Sequence, residues 1–139
     1  MDVHVKGTFF LTRRLLPLIV DGGRVVNVSS AVARHGVTFP GQAAYASAKG
    51  AVEVMTRYMA QELGPRGISV NVISPRGIET DFGGAVMRDP GMKELAASIP
   101  ALGRVGQPED VGGVVASLLS DEMGWVNGQR IEVSGGQNL

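Results

Sequence analysis

Three short, valine-rich segments alternate along this chain with longer segments that have helical spacing. They are "RVVNVSS" at 24–30, "ISVNVI" at 68–73 and "RIEV" at 130–133. Short runs of β-branched residues that end at glycine or at a turn are typical of strands buried on both faces. Because helical segments separate the strands, this order predicts right-handed crossovers and a parallel sheet covered by helices. We therefore predict one α/β domain over residues 1–139.

Three segments of the chain have the apolar periodicity of helices. The first extends from Asp2 to Val20, and its apolar residues are Val5, Phe9, Leu11, Leu15, Leu16, Leu18 and Ile19. The second is predicted from Ala43 to Leu63, where Gly64 and Pro65 terminate it. Its buried stripe comprises Ala48, Val52, Met55, Met59 and Leu63. The third begins at Pro108, and its buried face comprises Val111, Val114, Val115, Leu118 and Leu119.

A long segment rich in glycine and proline follows the second strand. Its part from Phe82 to Leu102 is predicted to be a functional lid, with a local helix around Lys93 to Ser98. The lid carries few charges. Its apolar residues either line a pocket or pack the lid against the fold, and they are Met87, Met92, Leu95 and Ile99.

Charge balance and the absence of cysteine exclude several function classes. Lysine plus arginine total 13 and aspartate plus glutamate total 13, so no net field attracts nucleic acid or anionic lipid. Without cysteine, disulfides, thiolate catalysis and cysteine metal sites are excluded. No apolar run approaches the roughly 20 residues of a membrane-spanning helix. We expect a cytoplasmic protein that acts on a small molecule, with no nucleic-acid or membrane partner.

Tyr45 and Lys49 lie at the start of the second predicted helix, four residues apart. Four residues advance a helix by about 400°, so both side chains project from one face, one turn apart. An ammonium within roughly 4–6 Å of a phenol favours the phenolate and eases proton transfer. The same spacing also fits a half-buried tyrosine beside a lysine whose stem packs on apolar surface.

Ser29 and Ser30 end the first predicted strand. Ligands bind at the carboxyl ends of strands in open parallel sheets, so a hydroxyl there can meet Tyr45. Ser30 would polarise a carbonyl while Tyr45 delivers a proton, which suits an alkoxide that forms as a hydride arrives. The alternative is that the two serines cap a helix or a turn.

Six separated stretches resemble motifs of the short-chain dehydrogenases and reductases, in that family's order. They are "GTFF", "VVNVSS", "YASAK", "NVISP" with "GIETDF", "GRVGQPEDV" and "NGQRIEVSGG". The resemblance implies part of a Rossmann-like, doubly wound parallel sheet, with NAD or NADP as cofactor and a small carbonyl or alcohol as substrate. It also implies a homodimer or homotetramer. Met123, Trp125 and Val126 would line that interface, and the alternative for Trp125 is a core position.

The resemblance also implies roles for individual residues. Tyr45 would be the acid/base, Lys49 would assist it and hold the nicotinamide ribose, and Ser30 would stabilise the reacting oxygen. His4 lies three residues before Gly7, where the family usually has asparagine. There it would orient a water molecule that leads to Lys49, whereas a histidine so near the chain start is also often solvated.

The same resemblance implies a cofactor-binding turn after the second strand. Thr80 would meet the nicotinamide carboxamide, Ile78 would add a backbone contact, and Pro75 and Gly77 belong to the same turn. The family's proline-glycine is here proline followed by Arg76. If that position requires a positive φ, arginine costs about 1 kcal/mol and crowds the nicotinamide pocket.

Two further departures concern spacing and length. Ser30 precedes Tyr45 by fifteen residues, farther than is usual, and a longer loop at Val37 to Pro40 would absorb the difference. No glycine cluster in the sequence follows a strand and opens a helix, as a pyrophosphate site requires. The first predicted strand would therefore be an exposed edge. We expect either a truncated chain, with Met1 an internal methionine, or two chains that complete each other.

Three functional hypotheses follow. The first is an NAD(P)-dependent oxidoreductase that transfers a hydride between the cofactor and a ketone or secondary alcohol. The second is a catalytically inactive remnant that acts only through association with another chain. The third is an epimerase or dehydratase on the same scaffold, and the motifs around Pro108 and Gly128 favour the dehydrogenase over it.

Overall fold

The fold is built on a parallel sheet. A computed structural model describes residues 1–34, 40–81 and 89–137. Within these residues the sheet has the order β1 (Arg24–Val28), β2 (Ser69–Pro75), β3 (Arg130–Val133). Both strand pairs are parallel. The prediction of a partial, Rossmann-like α/β sheet is confirmed, and β2 covers 69–75 instead of the predicted 68–73.

Helices connect the strands as the sequence predicts. The described residues form α1 (Thr8–Leu15), α2 (Ala43–Leu63), α3 (Pro90–Ser98) and α4 (Pro108–Leu118). Wide π-helical turns over Asp2–Gly7 precede α1, and a short 3-10 turn over Leu16–Leu18 follows it. None of the described helices is long and apolar enough to cross a membrane.

The central strand, β2, is buried at every position from Ser69 to Ser74. Successive strand residues point to opposite faces, so both faces of β2 are covered. Ile68 and Val70, at the start of this strand, pack against Met59 of α2. Lys49, near the other end of α2, contacts the last residue of β1. The first turn of α2 therefore lies at the carboxyl ends of the strands.

The segment around α1 departs from the predicted burial. Val5, Leu16 and Ile19 are half-buried, but α1 itself buries no residue. Its remaining predicted apolar residues are exposed, namely Phe9, Leu11, Leu15 and Leu18. The physical reason is that β1 is the outer strand of the described sheet, so no neighbouring strand completes the cover beside α1. A groove of about 770 Å³ separates α1 from β1, and the prediction of an exposed edge is confirmed.

Three other expectations need correction. Leu119 lies just past the end of α4 and is exposed, whereas Leu118 is buried. Trp125 is 100% exposed, so the alternative of a core tryptophan is wrong, and its place in a subunit interface stays a prediction. The lid residues Met92, Leu95 and Ile99 are exposed and do not pack the lid down. Phe82, Met87 and the loop residues 37–39 lie outside the described residues.

Stability should depend strongly on Ile73, which is 1% exposed in β2 and pairs with strands on both sides. We expect Ile73→Ala to lower the free energy of unfolding by about 2–5 kcal/mol, because it leaves a cavity in the core. Val54→Ala, on the exposed face of α2, should change it by less than about 0.5 kcal/mol. Urea denaturation of both variants measures the difference, and equal losses of unfolding free energy would contradict the place of Ile73 in the core.

Candidate active site

A cavity of about 710 Å³ opens where β1 and β2 end and α2 begins. All of the site residues predicted from the sequence line it, namely His4, Ser30, Tyr45, Lys49, Pro75, Gly77, Ile78 and Thr80. These residues come from four separate stretches of the chain. The parallel sheet brings them together because the carboxyl ends of its strands meet at one edge.

Tyr45 and Lys49 project into this cavity from one face of α2, as their spacing predicts. The Lys49 Nζ atom lies 5.7 Å from the centre of the Tyr45 ring, within the range of a cation–π interaction. His4 packs edge-on against the same ring, with 5.3 Å between the ring centres. His4 is half-buried, so the interpretation as a freely solvated histidine is not supported.

The ammonium of Lys49 is held by the backbone of β1. Its Nζ donates a hydrogen bond to the Val28 carbonyl at 2.9 Å. Burial lowers the pKa of Lys49 below its ordinary value, because a desolvated ammonium is less favourable than one in water. An ammonium has three donor hydrogens, so the bond to Val28 leaves others to reach into the cavity.

Ser30 lies at the turn that follows β1. Its backbone is extended, with φ of −157° and ψ of 147°, and it precedes the short 3-10 turn Ala31–Ala33. No side-chain cap hydrogen bond from Ser30 to this turn is formed. Ser30 therefore does not cap this turn with its side chain, and it lies in the wall of the cavity instead.

The turn after β2 supplies the opposite wall. The left-handed conformation in this turn falls at Gly77, with φ of 63°. A Cβ at this position would approach the Gln137 Oε1 atom to 3.1 Å, so both backbone conformation and space favour glycine. The Arg76 N–H donates to the Val133 carbonyl at 3.1 Å, and Ile78 forms a parallel bridge with Gly106. These bonds tie the turn to β3 and to the segment before α4.

Sequence reasoning did not assign several other residues of the cavity wall. They are Val28, Val32, Gln42, Pro108, Val111 and Gln137, whereas Ser29, Arg76 and Ile99, which also line the cavity, were connected with the site by the sequence analysis. Most of them belong to loops or helix starts, where side-chain direction has no periodic signal. The wall is mainly apolar, apart from the polar groups near Tyr45.

The described residues fit one end of a dinucleotide better than the other. Lys49 offers donor hydrogens at the cavity wall, and Pro75, Gly77, Ile78 and Thr80 form a close backbone turn beside it. A binding site for the pyrophosphate requires a strand that is followed by a glycine-rich turn and then by a helix. Residues 1–34, 40–81 and 89–137 contain no such arrangement. The chain's own residues therefore fit the nicotinamide riboside end.

Comparison with known proteins defines the family. Residues 1–138 match the family described as enoyl-(acyl carrier protein) reductase. The chain belongs to the short-chain dehydrogenases and reductases, as the motif resemblance implies.

Individual relatives cover nearly all of this chain. Dehydrogenase OXI1 of Cochliobolus heterostrophus is 35% identical over 98% of the chain and 60% of its own length. The promiscuous reductase LugOII, which catalyses keto-reduction, is 42% identical with a TM-score of 0.88 over 96% of this chain and 52% of its own. The angucycline C-6 ketoreductase LanV with bound NADP is 36% identical with a TM-score of 0.86 over 96% and 51%. The chain thus spans about half the length of these relatives.

The lowered pKa of Lys49 predicts how its contribution to stability varies with pH. The unfolded chain holds this proton up to about pH 10.4, whereas the folded chain releases it at lower pH. Between these two values the unfolded state binds more protons, so wild type should gain stability relative to Lys49→Met as pH rises. Urea unfolding of both proteins at pH 7 and at about pH 10 gives this difference. A difference that stays constant with pH would contradict the desolvated environment of Lys49.

Proposed function

We propose that this chain carries the catalytic groups of an NAD(P)-dependent oxidoreductase, which transfers a hydride between a nicotinamide and a ketone or secondary alcohol. The observation that carries this proposal is the convergence of Tyr45, Lys49 and Ser30 on one cavity wall. Relatives whose names state dehydrogenase or keto-reduction activity support it.

Each of the three residues has a distinct part in the proposed reaction. Tyr45 donates its phenolic proton to the carbonyl oxygen during reduction and accepts one from the alcohol during oxidation. Lys49 lies 5.7 Å from the Tyr45 ring, where its positive charge stabilises the phenolate left after proton transfer. The Ser30 hydroxyl donates to the reacting oxygen and stabilises its developing negative charge.

The cofactor supplies the hydride when it is bound, and this chain's residues hold its nicotinamide end. Lys49 binds the ribose hydroxyls through the ammonium hydrogens that are not bonded to the Val28 carbonyl. Thr80 and the backbone of Ile78 receive the carboxamide, beside the turn formed by Pro75 and Gly77. The relative LanV, with bound NADP, supports NADP as one cofactor.

His4 has a supporting part in this proposal. Its ring contacts the Tyr45 ring edge-on, which fixes the tyrosine's orientation at the start of α2. An imidazole ring has one nitrogen that donates and one that accepts a hydrogen bond, so the His4 ring can also relay a proton that leaves the Tyr45–Lys49 pair.

The substrate and the assembly follow from the apolar parts of the surface. Val32, Ile78, Ile99 and Val111 give the cavity an apolar wall, which favours a small carbonyl compound with apolar substituents. Homo-oligomerisation is part of the proposal because Trp125 is fully exposed, and a single indole covers a large apolar area when an interface buries it.

Replacement of Tyr45 tests the proposed function. We expect Tyr45→Phe to reduce ketone-dependent NADPH or NADH oxidation by about 100-fold or more, because the proton donor is lost. The assay uses the 139-residue chain with a panel of one aromatic ketone, one cyclic ketone and one β-ketoester.

Tyr58→Phe is the matched control, since Tyr58 lies on the same helix and is 65% exposed. It should keep turnover within about twofold of wild type. Two outcomes would reject the proposal. One is wild type without turnover of any panel member, which would favour the inactive remnant. The other is equal activity of Tyr45→Phe and Tyr58→Phe.

A further inference from the structure

A buried cluster of charges lies one helical turn beyond Lys49. Glu53 is only 3% exposed and projects from α2 towards the sheet. Its Oε1 atom accepts hydrogen bonds from Arg130 Nε at 2.7 Å and from Ser29 Oγ at 2.9 Å. Its Oε2 atom accepts one from Arg34 Nε at 3.0 Å. A single carboxylate therefore connects a helix, the end of β1, the start of β3 and the loop after β1.

Arg130 extends this connection across the sheet. Its guanidinium donates to Ser74 Oγ at 2.7 Å and also to the Glu132 carboxylate. Burial alone would lower the pKa of Arg130, but the hydrogen bonds that Arg130 donates to Glu53 and Glu132, together with the charges of these carboxylates, outweigh burial and raise it. The guanidinium thus stays charged, and its planar set of donors fixes the direction of each partner.

Net stability is a weak reason for such a cluster. Buried ion pairs often contribute no more than apolar residues of the same volume, because desolvation opposes the attraction. The cluster affects the positions of these elements more than their stability, since each bond fixes the distance between two elements. The cluster joins the three strands to the helix that carries Tyr45 and Lys49.

The Ser29 hydroxyl links this cluster to the candidate site. Ser29 is buried, its N–H donates to the Ile73 carbonyl at 2.8 Å, and its Oγ lies 3.1 Å from the Lys49 carbonyl as well as near Glu53. Ser29 is therefore fixed to β2 through its backbone and to α2 through its side chain. Ser30 follows directly, so its position relative to Lys49 depends on these bonds.

We propose that Glu53 is a positioning residue. Held by Arg130 and Arg34, its carboxylate fixes the Ser29 hydroxyl and thereby sets Ser30 at the correct distance from Tyr45 and Lys49. This inference rests on the proposed function, because it assigns Glu53 a part in arranging the same catalytic groups.

The chain contains a matched link that lies farther from the site. Asn27 Nδ2 donates to Thr56 Oγ1 at 2.9 Å, and both residues are buried. Like the bond between Ser29 and Glu53, this bond joins β1 to α2. The Thr56 hydroxyl bonds Asn27 and the Val52 carbonyl, and neither of these residues lines the candidate site, so its loss reports the structural cost of removing one buried link.

The test compares three variants of the 139-residue chain: Glu53→Gln, Ser29→Ala and Thr56→Val. With the panel ketone that wild type reduces fastest, Glu53→Gln and Ser29→Ala should lower kcat about 10-fold or more, because catalytic distances change. Their KM for NADPH should stay within about twofold. Thr56→Val should keep kcat within about twofold, although we expect urea denaturation to show that this variant is destabilised as well.

Ser29→Ala keeps the test valid if Glu53→Gln does not fold, since it leaves the buried ion pairs intact. A kcat for Ser29→Ala that matches that of Thr56→Val would overturn the inference. Full activity of a folded Glu53→Gln would do the same.

A second readout separates this inference from the proposed function. In ¹H–¹⁵N NMR spectra of the chain, Glu53→Gln should shift the amide signals of Ala31 and Tyr45, whereas Thr56→Val should not. If wild type reduces no ketone and these shifts are present, the proposed function fails and the positioning role stands. If Glu53→Gln leaves both signals unchanged, the positioning role fails whether or not the chain is active. If Glu53→Gln does not fold, Ser29→Ala takes its place in this measurement. A shifted Tyr45 amide signal in Ser29→Ala would support the positioning role, and an unchanged signal would reject it.

Discussion

The hydrogen bond from the Lys49 ammonium to the Val28 carbonyl is the interaction on which the site depends. It joins the helix that carries Tyr45 to the last residue of β1, and it holds a positive charge in a desolvated position near the phenol ring. Desolvation opposes the charge, as the lowered pKa of Lys49 shows. The fold therefore keeps this ammonium in place through specific bonds, and a cation so fixed can act on both a tyrosine and a ligand.

The parallel sheet explains why these groups meet. Lys49 contacts the end of β1 while Met59, ten residues later on α2, packs at the start of β2. The helix thus runs back along the strands, and its first turn reaches their carboxyl ends. β1 is also the outer strand of the described sheet, and the groove beside it is lined by apolar residues of α1. The residues that line the cavity fit the nicotinamide end of a dinucleotide, and the described part of the chain has no glycine-rich turn between a strand and a helix for the pyrophosphate.

Patterns local to one segment were enough to predict much of this arrangement. The bounds of α2 followed from its apolar stripe and from Gly64 and Pro65, and β3 from its isolated apolar run. Ser30 could be grouped with Tyr45 because ligands bind where strand ends converge in a parallel sheet, whereas His4 and the site residues between Pro75 and Thr80 were assigned through the family resemblance. Long-range features could not be predicted in this way. Leu11 and Leu15 are exposed in the groove beside β1, and amphipathic spacing carries no information about whether another strand would cover them. Glu53 lies at the next i+4 position after Lys49, but its partner Arg130 is 77 residues away.

The most direct measurement of the central claim is titration of the 139-residue chain with NADPH, followed by nicotinamide fluorescence. The account predicts saturable, micromolar binding by wild type that is abolished in Lys49→Met. Lys6→Met, which removes an exposed lysine paired with Asp2, should bind as wild type does. Equal binding by Lys49→Met and wild type, or no saturable binding by wild type, would contradict the role of this buried ammonium.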